Sequence, residues 1–451
     1  MTEGLMGETE RPLAAYWISA DDAWRQGRDL RKVVEHADQA QFTLADDDRP
    51  SVEAFLEQSN QGRVPELLPM RHERMAVDPF AFFRGSAGLM AFDLAQDPAT
   101  GLHGQICGDA HAANFGLYGT HDGRIVMDIN DFDETVVGPW EWDVKRLAAS
   151  LVLAGRVSGA DADSQEKAAR HAVRAYRKAA KHLAEIPFLD SWTALGDESA
   201  ISRAAAEELF DDFDRAAAKA RRNTSEKVAT KLVSRNGDGQ WRFVPDPPIL
   251  TAVDDATKQA VIDAAQEYVA TLRGPRRRLL ARFQPCDVAM RIVGTGSVGL
   301  RAYVVLLQGN DQEALILQVK QMTDSALAPY LSLEPAYHEG HRVVQGARLV
   351  QVETDLLFGW TTIHGAPYIV RQFRNRKGEI DPTVLTDDHL DDYGRLAGSL
   401  LARAHTRSID PRVLAGYCED GKELDHAIAA YAVAYADQVE RDHAALLDLL
   451  A

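Results

Sequence analysis

Cysteine is nearly absent. Cys107, Cys286 and Cys418 are the three among 451 residues, far apart and without CxxC spacing, so neither a disulfide framework nor a structural zinc site is available. Positive charge is also short: 50 Lys and Arg stand against 68 Asp and Glu, a formal net charge of −18. That field repels polyanions and argues against a nucleic acid or an anionic membrane as partner. No run of 18 apolar residues occurs, so no membrane-spanning helix is expected. The segment "MTEGLMGETERP" lacks the basic and apolar regions of a signal peptide, which leads to the expectation of a cytoplasmic protein. Internal repeats and low-complexity tails are missing too, and 45% apolar with 26% charged residues is the composition of an ordinary globular chain.

A chain of this length exceeds the roughly 250–300 residues at which one core stops growing, so two or more lobes are expected. Five zones are legible. Residues 1–105 form a helical and extended segment that includes "DPFAFFRGSAGLMAFDLA", where aromatics and two glycines surround Arg84; core packing around a turn gives Arg84 a supporting role. Zone 106–190 opens with "ICGDAHAANFG" and continues through "RIVMDIN", a short buried strand, into the helix "EWDVKRLAASLVLAGR" with Trp142, Leu147 and Leu151 on one face. Zone 191–285 is a helical insertion or linker. The break "FVPDPPIL" and one helix at about 255–283 lie at its end. Zone 286–375 reads as strands, "DVAMRIVG", "RAYVVLLQG", "ALILQVKQ" and "PYIVRQFRN", in a small antiparallel sheet. Residues 376–451 return to helix. The basic runs "KARRNTSEK" and "RGPRRRLLARF" read as solvated helix faces. The whole is an α+β chain with a small antiparallel sheet lobe and a mainly helical lobe.

Chemistry concentrates in two places. In "GDAHAAN", Asp109 and Asn114 lie five residues apart on a loop begun by glycine, and "NDFDE" with Asp131 and Asp133 follows after a turn and a strand. A carboxylate to orient a hydroxyl, together with an amide oxygen and a second carboxylate for a hard cation, is the layout phosphoryl transfer needs. Turn capping by Asp and Asn is the bland alternative. His111 has no partner at metal-ligand spacing and reads as a loop brace. The second place is "RIVGTGSVGLRAYVVLLQGNDQEALILQVK", where Gly294, Gly296 and Gly299 fit GxGxxG. A dinucleotide fold needs a helix straight after the glycines, whereas a strand, a turn and a second strand ending in Lys320 follow here. A glycine hairpin followed by a lysine strand is the kinase arrangement. Glu339, 19 residues beyond Lys320 in "YHEGHRVVQGARLVQ", is the preferred partner for that lysine, with Glu334 as its rival.

The stretches "FFRGSAGLM", "CGDAHAANFG", "NDFDETVVGPWEWDVKRLAAS" and "LLARAHTRS" resemble the bacterial domain-of-unknown-function 2252 family along nearly the whole chain. That family is distantly similar to protein-kinase-like phosphotransferases of the aminoglycoside and choline kinase branch, whose sites carry "HGDxHxxN" and then "IDFxD". The resemblance implies Asp109 as catalytic base, Asn114 and Asp131 as Mg²⁺ ligands with Asp133 assisting, and Asp143 as a buried anchor beneath the catalytic loop. It implies Gly294, Gly296, Gly299, Lys320 and Glu339 as the nucleotide-binding set, with ATP and Mg²⁺ as cofactors and an unidentified small-molecule or protein hydroxyl as acceptor. Zone 286–375 would be the nucleotide-covering lobe, and zones 106–190 and 376–451 the helical lobe.

Three departures stand against that pattern. Cys107 replaces the His that usually precedes the loop glycine, and Arg301 stands where Val is common. The catalytic loop precedes the glycines by about 180 residues, the reverse of kinase order, which a circular permutation would explain. Nucleotidyl transfer uses the same parts. A nucleotide-binding regulator without turnover and a metal-dependent hydrolase built on the Asp/His cluster are the competing functions.

Overall fold

In the computed structural model the described residues are 17–451 except 45–47, 121, 195–203, 205, 224–230, 236–239, 293, 295, 311–312 and 374–375. The signal-peptide reading of the first residues and the second half of "KARRNTSEK" lie outside them.

The chain is mixed α+β. Strands β1 (His103–Ile106), β2 (Phe115–Gly119), β3 (Ile125–Ile129) and β4 (Val136–Pro139) make two antiparallel ladders, β1 with β4 and β2 with β3. A short ribbon joins β5 (Val233–Arg235) to β6 (Trp241–Phe243). The main sheet uses β7 (Leu250–Ala252), β8 (Gln284–Arg291), β9 (Ala302–Gln308), β10 (Ala314–Gln321), β11 (Gly359–Ile363) and β12 (Ala366–Gln372). Its order is β11-β12-β10-β9-β8-β7, with every neighbouring pair antiparallel. The sheet therefore starts before residue 286, because β7 pairs back onto β8.

Strand periodicity decides which way the sheet's side chains face. Tyr303, Val305 and Leu307 of β9 pack with Leu315, Leu317 and Val319 of β10 on one face, while Val304, Leu306 and Ile316 pack on the other. Alternation places Gln318 and Lys320 on the Ile316 side. Lys320 is thus turned away from the apolar layer formed with helices 255–280.

The helix Trp140–Ser158 lies at the centre of the helical part, against Ala162–Glu185, Asp387–His405 and Lys422–Leu450. Glu141 and Asp143 in its first turn suit the helix dipole, and Gly159 at φ 82° ends it. The single apolar face read from the sequence is too narrow: every residue from Trp140 to Gly155 is buried, Glu141, Asp143, Lys145 and Arg146 included. Four charged groups inside a core demand partners, and two of them organise the site. The helix expected at about 255–283 is three, Asp255–Asp263, Ala265–Thr271 and Gly274–Leu280. Leu272 and Arg273 are extended, and Pro275 at the start of the third helix begins a new one.

Candidate functional site

The loop after β1 is clamped from below. Asp143 accepts the backbone amides of Cys107 at 2.7 Å and Gly108 at 2.9 Å, and His405 Nε2 lies 3.2 Å from the same carboxylate. His405 Nδ1 in turn meets the Tyr176 hydroxyl at 2.7 Å. Gly108 has φ 78°, and a Cβ there would fall 2.3 Å from the Glu134 carbonyl oxygen, so only glycine fits. Further along, the Ala112 amide donates to Ser150 Oγ at 2.8 Å and the Tyr393 hydroxyl to the Ala112 carbonyl at 2.6 Å. Two helices distant in sequence therefore hold one loop rigid.

That clamp presents Asp109. Arg146 Nε donates to its Oδ1 at 2.6 Å, and the same guanidinium stacks 4.1 Å above the Phe83 ring and donates to the Phe83 carbonyl. His111 Nε2 is 3.7 Å from the second Asp109 oxygen. Burial pushes the His111 imidazole down to about 4, so it is neutral near pH 7. Its Nδ1 is buried without a partner among the described residues.

The exit of β3 supplies the other half. The Asn130 amide bonds to the Asn114 carbonyl at 2.9 Å, and Asn114 Nδ2 donates to the carbonyls of Asp109 at 2.9 Å and Asp131 at 3.2 Å. Asn114 Oδ1 accepts no hydrogen bond among the described residues. Lys320 reaches in from β10 and bonds to Asp133, with Asp131 Oδ2 at 3.8 Å. Burial works against ionised Asp131, but Lys320 and Arg371 outweigh it and hold that carboxyl below the usual range. Asp133 is pushed up by burial and by Asp131. Burial likewise opposes charge on Lys320, and the two aspartates overcome it and raise its pKa.

Among the described residues no group of three or more His, Cys, Asp or Glu is arranged to hold a metal. Two carboxylates and a free amide oxygen are nevertheless the donor set suited to Mg²⁺, which takes one or two carboxylates and completes its shell with water and phosphate. Asp131, Asp133 and Asn114 fit it.

Gly294, Gly296 and Ser297 of the β8–β9 turn line one cavity of about 300 Å³ with Asp109, Asn114 and Asp131. Ser297 Oγ lies 3.4 Å from Asp133. The turn leans on the N-terminal helices: the Val64 amide donates to the Gly299 carbonyl at 2.8 Å, Arg63 to the Val298 carbonyl at 2.6 Å, and Arg74 to the Gly294 carbonyl. Cavities of about 430 and 710 Å³ along Ala162–Glu185 border none of Asp109, Asp131 or Lys320, so size does not locate the acidic cluster.

One expectation is corrected by these contacts. Glu339 binds Arg342, not Lys320, and Glu334 is exposed and makes no pair with Lys320 either. Arg342 reaches the Asp133 carbonyl at 2.8 Å and the Thr135 carbonyl at 2.6 Å, so the Glu339 helix braces the acidic loop through its backbone. Arg84, half-buried, stands on the cavity wall, and its side chain has no hydrogen-bond or ion-pair partner among the described residues. Sequence reading also missed Arg63, Arg71, Arg146, Arg371 and Lys377. Arg371 and burial together bring Lys377 down to about 7. Isolated basic residues in five separate segments carry no local signal of convergence.

The protein family described as "Uncharacterized protein conserved in bacteria", domain of unknown function 2252, matches residues 63–449. No curated protein and no solved structure matches the chain. No helix among the described residues is long and apolar enough to cross a membrane.

Proposed function

The chain belongs to the bacterial domain-of-unknown-function 2252 family, and from its cleft we propose that it is an ATP- and Mg²⁺-dependent phosphotransferase, kinase-like and circularly permuted, acting on a hydroxyl acceptor. One observation carries the reading. Lys320 of the main sheet meets Asp131 and Asp133 beneath the glycine turn, with Asp109 lining the same cavity, although Lys320 and Asp133 are 187 residues apart. A lysine and a metal-binding carboxylate must both reach the phosphates of one nucleotide, and this is the arrangement that lets them.

In this reading Asn114, Asp131 and Asp133 would hold Mg²⁺, which neutralises phosphate charge when bound. Lys320 pairs with the nucleotide phosphates and the turn at Gly294–Gly299 covers them. Asp109 orients the acceptor hydroxyl and takes its proton; the acceptor oxygen bonds to the γ-phosphorus as the bridging bond to ADP breaks. Arg146 fixes Asp109 in place. The permutation is supported by the helix Asp387–His405, which ends with His405 on Asp143 beneath the loop it would precede in kinase order.

A regulator without turnover has one observation in its favour: Asp109 is already engaged by Arg146, which competes with base function. The deciding experiment incubates the full chain with Mg²⁺–ATP and a library of hydroxyl metabolites, separating ADP from AMP. ADP production that depends on one acceptor is expected, and AMP would indicate nucleotidyl transfer. Nucleotide binding without turnover on any acceptor would favour the regulator, and no nucleotide binding at all would defeat the proposal.

A further inference from the structure

The cleft has a wall that the phosphotransferase parts do not use. Arg63, Arg71 and Arg84 come from the N-terminal helical segment and line the cavity beside Asp109 and the glycine turn. In a chain with 68 acidic residues, none of the three has a carboxylate within ion-pairing distance among the described residues. Arg71 is 1% exposed and bonds to uncharged groups alone, Asn60 Oδ1 at 2.7 Å, Ser59 Oγ at 3.2 Å and the Gly85 carbonyl at 3.4 Å. Arg63 bonds to the carbonyls of Ser59 and Val298. Burial and the neighbouring Arg63 pull Arg71 down to about 9. The Arg84 side chain has no hydrogen-bond partner among the described residues, and its Nε is buried.

Buried cations without anionic partners are costly, and proteins keep them where a ligand supplies the missing charge. Guanidinium groups are the usual choice for holding a carboxylate or phosphate in two-point contact. Position says which end of the cleft they serve. Arg84 follows Phe83, whose carbonyl is bonded to Arg146, the residue that holds Asp109. A Cβ on Gly296 would lie 3.2 Å from the Arg84 carbonyl, and one on Gly299 would lie 3.0 Å from Arg63 Cβ. The arginines therefore flank the tip of the glycine turn on the Asp109 side, where an acceptor hydroxyl must enter.

We propose that the acceptor is a small hydroxyl compound bearing a carboxylate or phosphate, and that Arg63, Arg71 and Arg84 seat its anionic group. This rests on the phosphotransferase reading for the word acceptor, while the anion site stands on the arginines alone. A cationic acceptor of the aminoglycoside or choline type meets repulsion at this wall. A concave cleft of about 300 Å³ favours a small molecule over a protein surface.

Calorimetric titration of the full chain with inorganic phosphate, and separately with Mg²⁺–ADP, tests the assignment. The Arg84 side chain has no hydrogen bond or ion pair among the described residues, so Arg84→Gln should fold normally, weaken phosphate by about tenfold or more and leave ADP within about twofold. Arg84→Lys should recover part of the loss, and D-glycerate should displace phosphate where choline does not. Unchanged phosphate affinity in R84Q would overturn the proposal. Parallel loss of ADP and phosphate would also overturn it, by assigning the arginines to the nucleotide. Phosphate binding through Arg84 in a protein that binds no ADP would uphold the anion site and remove the phosphotransferase reading instead.

Discussion

Asp143→Asn isolates the clamp beneath the loop, because it keeps the side-chain shape and removes the charge. The carboxylate accepts two backbone amides, at 2.7 and 2.9 Å, with His405 at 3.2 Å. Asparagine has one acceptor oxygen, so one of the two amides must face an NH₂ group and stay unsatisfied. Hydrogen bonds to a charged group contribute about 1.5–3 kcal/mol and a buried unsatisfied donor costs about 1–3 kcal/mol, so a loss of roughly 3–4 kcal/mol is expected. With about 2.1 cal/mol/K of unfolding entropy per residue, a 451-residue chain loses about 1 °C per kcal/mol if it unfolds as one unit. The melting midpoint should drop by about 3–4 °C. Hydrogen exchange reads the same change locally: peptides covering Cys107 and Gly108 should exchange faster, by up to about a hundredfold for some 3 kcal/mol. A midpoint within 1 °C of the parent together with unchanged exchange in that loop would refute the account of Asp143 as its anchor.

Other perturbations follow from the same geometry. Asp109→Asn should cut phosphoryl transfer by orders of magnitude and leave ADP affinity nearly unchanged, since the group orients acceptor and not nucleotide; equal losses in both would contradict that role. Asp131→Asn should remove the Mg²⁺ dependence of nucleotide affinity, and a parent protein whose affinity is unaltered by EDTA would rule out the metal assignment. His111 titrates at about 4 folded and near 6.5 unfolded, so between these values the unfolded chain binds the extra proton. Its contribution is complete above pH 6.5 and is lost as pH falls toward 4, about 1.4 kcal/mol per unit. Denaturant midpoints measured across that window should fall less steeply for His111→Asn, and identical slopes would show the imidazole to be accessible.

Much of this molecule is written locally. Alternation in "AYVVLLQ" and "ALILQVKQ" determines two buried strands and, through their parity, the face on which Lys320 emerges. Gly108 and the acidic loops are equally legible, because a turn that requires positive φ and a hard-cation donor set both depend on residue type and short spacing. The burial of Asp143 is implied by the family resemblance alone, because its helix reads with one apolar face and is in fact buried all round. The partners of those residues are another matter. Glu339 and Lys320 look like a pair at their spacing, yet Arg342, one helical turn from Glu339, takes that carboxylate while two aspartates from another segment take the lysine. The arginine wall is invisible for the same reason. Arg71 and Arg84 sit in ordinary helices and Arg63 in the bend before the first of them, and only the packing of the N-terminal segment against the glycine turn gathers them on one cavity. Local conformation depends on neighbours a few bonds away, whereas electrostatic partnership falls off over a few ångströms in space, and that distance is set by the tertiary fold.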